Sequence, residues 1–78
     1  MLKIKDSVDL KELEKFGFKY QKEIEYYEIN FALSPNGFDG LSISERSKII
    51  YIYSNYIGEP LHTLYDLIKA DMVEKVEE

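Results

Sequence analysis

There is no cysteine in this sequence, so it can form neither a disulfide nor a cysteine-ligated metal site. That composition suits a reducing compartment. No apolar run approaches the ~20 residues needed to cross a bilayer, and residues 1–6 carry no signal-peptide apolar region. The expectation is a cytoplasmic protein without membrane contact. Glycine is scarce, and its four residues never cluster into a phosphate-binding G-x-x-x-x-G-K pattern. There is a single histidine, His62, with no nucleophile or set of further ligands near it in sequence. It reads as an ordinary residue in the first turn of a helix. No serine stands in a G-x-S-x-G context; Ser44 and Ser47 flank a turn. Residues 36–40 hold Asn36 and Asp39 but lack the spacing of a calcium loop, and read as a plain hairpin loop. Carboxylates are plentiful, but abundance does not make a catalytic pair. These absences exclude the common catalytic and metal motifs, so no enzyme, cofactor or metal is expected.

Basic residues are also in short supply. Ten Lys and Arg face fifteen Asp and Glu, for a net charge of −5. Clustered cations are what phosphate backbones require, so direct nucleic-acid binding is not expected. The acid is uneven: from Glu59 onward six acidic residues face two lysines, whereas the first 58 residues carry a net −1.

What is present is a core. Apolar residues make up 45% of the 78, with seven tyrosines and four phenylalanines, and disordered chains are poor in such residues. One domain over residues 1–78 is expected, burying roughly 60–65% of its unfolded surface. Residues 2–5 alternate as a short strand. Asp9 is a good N-cap, with Glu12 three residues on as a capping box and Val8 and Leu13 as the staple pair. Gly17 is placed to end the helix, with Phe18 closing on Leu13. A helix over Leu10–Phe16 follows.

From Phe18 the composition turns to Tyr, Ile and Phe. Strands are expected at residues 26–31, 41–44 and 48–54, with turns at Ser34-Pro35-Asn36-Gly37 and Glu45-Arg46-Ser47. Tyr27, Ile29 and Phe31 share one strand face, which is assigned to the core with Ile50 and Ile52. Tyr26, Tyr51 and Tyr53 then line the open face, together with Glu28. Such a face is either cross-strand aromatic pairing that stabilises the sheet or a contact surface. Pro60 opens a last helix over residues 60–76. Its apolar stripe is Leu61, Leu64, Tyr65, Ile68, Met72 and Val76. Asp66, Glu74 and Glu77 lie off that stripe, with Leu67 among them, and form a candidate acidic docking face for a basic partner. The fold class is α+β, in the order β-α-β-β-β-α: an antiparallel sheet of three to four strands, with a short and a longer helix on one face.

The ending at residues 64–76 and the opening at residues 8–18 resemble short uncharacterised proteins of low-GC Gram-positive bacteria and their phages. The resemblance implies no catalytic site. In size and charge the chain is similar to anti-CRISPR proteins, which implies a phage-type inhibitor that blocks a host protein. The expectation is therefore a non-enzymatic binding protein with a protein partner. The alternative is a homo-oligomeric accessory protein, with a homodimer formed through the tyrosine face. The candidate contact residues are Asp66, Leu67, Glu74, Glu77, Tyr26, Tyr51 and Tyr53.

Overall fold

Leu2–Ile4 forms β1 and sinks Ile4 completely into the core. The computed structural model describes residues 1–34, 37–53 and 59–76, and side chains among these except at 31–34, 37–39 and 59. After β1, Asp9 caps the first helix as expected, its carboxylate accepting from the Lys11 N–H at 3.0 Å. The helix spans Leu10–Phe16 but is 3₁₀ in type. With three residues per turn, side chains at i and i+3 eclipse, so Leu10, Leu13 and Phe16 fall in one row against the core. Glu12 pairs with Lys15 at 2.7 Å. Gly17 takes φ 98, a conformation that side chains resist. Its N–H donates to the Glu14 carbonyl, and the Phe18 N–H donates to the Leu13 carbonyl at 3.3 Å. These are the two bonds of a Schellman ending.

Four strands then form an antiparallel meander: β2 (Lys19–Gln21), β3 (Tyr26–Ser34), β4 (Gly37–Ser44) and β5 (Ile50–Tyr53). The expected loop at residues 36–40 gives way to strand from Gly37 onward, and β3 and β4 pair out to Ser34 and Gly37. Pro35 and Asn36 of the expected turn lie outside the described residues. A bulge between Asn30 and Ala32 shifts the register, and Gly40 sits opposite Asn30. A Cβ on Gly40 would meet the Ile29 carbonyl oxygen at 2.2 Å, so only glycine fits there.

The last third differs most from expectation. The helix α1 covers Glu59–Lys69 and stops. Asp71 adopts φ 60; its N–H donates to the Ile68 carbonyl at 3.0 Å, and the Met72 N–H donates to the Leu67 carbonyl at 3.1 Å. This is a second Schellman ending, with aspartate in the place glycine usually holds. Val73–Lys75 then forms β6, antiparallel to β1. The expected helical residues 70–76 are thus turn and strand. Met72 turns back into the core beside Leu67, which fixes the roll of α1. Its buried residues are Pro60, Thr63, Leu64 and Leu67, spaced i, i+3, i+4, i+7. The expected stripe is corrected: Leu61, Tyr65 and Ile68 are exposed.

The element order is therefore β1, 3₁₀, β2, β3, β4, β5, α1, β6, an α+β fold with a four-stranded and a two-stranded antiparallel sheet. The two sheets meet where Lys3 bridges Ile49 and the Ile4 N–H donates to the Lys48 carbonyl at 2.9 Å. One cluster of buried apolar residues joins both sheets to both helices. No helix among the described residues is long and apolar enough to cross a membrane.

Candidate functional site

Strand alternation builds the open face of the larger sheet. On β3, Tyr27 turns to the core and is buried, so Tyr26 and Glu28 turn outward. The register carries this across the sheet: Tyr26 stands opposite Ser44, Glu28 opposite Ser42, and Ser42 opposite Tyr51. Tyr53 stands opposite Gly40. Among its described side chains, the central strand β4 contributes only serine and glycine to this face, and the neighbouring tyrosines rise above it. The result is an open groove of about 510 Å³, floored by Ser42 and walled by Ile24, Tyr26, Glu28, Tyr51 and Tyr53. The Tyr26 and Tyr51 rings lie 6.2 Å apart at a 42° tilt. They contact across the sheet without closing the groove.

Among the described residues, Glu28 is the one formally charged residue in the groove wall. It is half-buried, and among the described residues it makes no ion pair. Lys19 of β2 stands opposite it in register, yet its ammonium does not pair with the carboxylate. Ile24, at the tip of the β2–β3 turn, is 55% exposed and ends the groove with an apolar side chain.

The turns at that end of the sheet are tied together. The Glu45 N–H donates to the Glu25 carbonyl at 3.0 Å, and Arg46 pairs with Glu25 at 3.1 Å. The Tyr20 hydroxyl donates to the Glu45 carboxylate, and this bond pushes the Tyr20 phenol up to about 12. Tyr27, whose ring lies 5.0 Å from that of Tyr20 at a 48° tilt, is raised mainly by burial. Both of these tyrosines belong to the core side of the sheet.

The structure brings Tyr26, Tyr51 and Tyr53 together as expected from strand period. It does not assemble the acidic helix face. Asp66 is exposed on α1, whereas Glu74 lies on β6 and pairs with Lys3 at 3.5 Å. Leu67 is fully buried in the core, so it is no surface anchor. Glu77 lies outside the described residues. Ile52, expected in the core, faces the right side but is 44% exposed. It lies on the edge strand beyond the point where β1 covers Ile49. The side chain of Phe31, also expected there, lies outside those described. His62 is exposed on α1.

Sequence reasoning missed Ile24 and Ser42 as parts of the groove. An isoleucine flanked by Lys22, Glu23 and Glu25 in a polar turn was the available signal for the first. Ser42 could be found only through the pairing of three strands. Also missed was the exposed helix row Leu61, Tyr65 and Ile68, where the Lys69 ammonium lies 5.8 Å from the Tyr65 ring centroid. No family model, curated protein or solved structure matches the chain.

Proposed function

We propose that this chain is a non-enzymatic binding protein that works in the cytoplasm by occupying a surface on a larger protein, with the tyrosine-walled sheet face as its contact. The observation that carries this reading is the groove between Tyr26, Tyr51 and Tyr53. Tyrosine brings large apolar area and a polar tip at low entropic cost, which is why it concentrates at interface hot spots. A groove this open leaves one side of any small ligand in water, whereas a macromolecular partner covers that side with its own bulk. Its carboxylate disfavours nucleic-acid phosphate. The resemblance to phage proteins makes an inhibitor encoded by a phage or mobile element, acting by blocking a host protein, the specific form of this proposal.

Capture on the immobilised chain from a low-GC Gram-positive lysate tests it. A partner retained by the wild-type chain and lost with Tyr51→Ala, whose circular dichroism is unchanged, is the expected result. Equal retention by both removes the sheet face as the contact. A second reading, a homo-oligomeric accessory protein, draws on the exposed Leu61, Tyr65 and Ile68 row, since unpartnered apolar helix faces serve as association surfaces. Sedimentation over a concentration series, with Tyr65→Lys alongside, separates the two readings. A dimer abolished by Tyr65→Lys favours the second.

A further inference from the structure

We infer that the tyrosine groove recognises an arginine side chain presented by the protein partner, an inference that rests on the binding role proposed above. Glu28 is a half-buried carboxylate without an ion pair among the described residues. Partial burial weakens its hydration, and a cation brought into the groove restores what is lost. The walls on either side are aromatic. Ring faces attract a cation within about 6 Å, and Tyr26 and Tyr51, packed against each other with centroids 6.2 Å apart, line the groove together with Glu28. A guanidinium fits this combination better than an ammonium. It stacks flat on a ring while its fork of N–H donors grips a carboxylate in two places. The exposed Ile24 at the groove's end provides an apolar surface for the methylene stem that carries the charge. The net charge of −5 also draws basic segments toward the chain before contact.

Lys19 is the built-in competitor, being opposite Glu28 in register. It lies on an edge strand whose three residues are all exposed, and its ammonium remains in solvent.

Titrating the full chain with tetra-arginine, tetra-lysine and tetra-citrulline peptides at physiological salt, followed by NMR, tests the inference. Arginine is expected to bind tightest, with shifts concentrated at Tyr26, Glu28 and Tyr51, and neutral citrulline weakest. Glu28→Gln is expected to weaken arginine binding about tenfold or more with unchanged circular dichroism, while Lys19→Gln leaves it equal or stronger. Citrulline binding as tightly as arginine, or arginine shifts untouched by Glu28→Gln, overturns the inference. Partner capture with the same variants distinguishes the two levels. A partner lost with Tyr51→Ala but kept with Glu28→Gln overturns arginine recognition and leaves the binding role standing. A partner kept with both removes both.

Discussion

Single residues in unusual backbone or electrostatic settings set the ends of this fold's elements and the pH response of one of its ties. Asp71 holds φ 60 where glycine has no steric penalty and alanine does. Its carboxylate pairs with Lys5 at 2.6 Å, but the aspartate side chain is 89% exposed, and such pairs contribute little. Asp71→Gly and Asp71→Ala both delete that pair, so their difference isolates the backbone. The glycine variant is expected to be the more stable of the two by about 1 kcal/mol, read from urea midpoints. Tyr20 makes a second prediction. Its phenol rises from 10.0 to about 12 in the folded chain because its proton is held by Glu45. Between those values the unfolded chain has already released a proton that the folded chain retains. That contribution to stability is therefore full below pH 10 and lost as pH rises toward 12. Tyr20→Phe is expected to lose less stability than wild type over that window in pH-dependent denaturation. An identical slope for both would disprove the coupling.

At the level of elements, the roll of α1 decides which leucine is structural. Leu67 is fully buried and Ile52, on the edge strand, is 44% exposed. Leu67→Ala is expected to cost about 2–5 kcal/mol, since the cavity it leaves cannot fully collapse. Ile52→Ala is expected to cost less than half as much, because water already reaches its site. Chemical denaturation that ranks them the other way would mean α1 packs on its Leu61, Tyr65 and Ile68 side. The 3₁₀ helix makes the same point through spacing. Leu10, Leu13 and Phe16 recur every third residue, a period that suits three residues per turn better than 3.6.

For the whole molecule, β1 is the keystone. It lies between β6 and the start of β5, with the Ile4 N–H bonded to Lys48 and the Lys5 N–H to Met72, each at 2.9 Å. The Ile4 amide is expected to exchange with deuterium only through global unfolding, while amides of the exposed edge strand β2 exchange through local fraying. Equal rates would show that the β1–β6 pair opens independently. The sequence by itself determined the α+β class, the cap at Asp9, the stop at Gly17, the turn at residues 45–47 and the division of tyrosines between sheet faces. Each of these rests on local chemistry or on a strict two-residue period, and neither depends on distant partners. Tertiary structure alone decided that residues 70–76 leave the helix, that Leu67 points inward, and that the groove includes Ser42. Helix propensity at residues 70–76 is a weak preference. It is outweighed when β1, more than sixty residues upstream, offers Val73–Lys75 a strand partner and the core accepts Met72. Once the helix stops at Lys69 and Asp71 turns the chain, Met72 and Val76 of the expected apolar stripe are no longer helical, and the buried face of α1 is the one that continues into Met72.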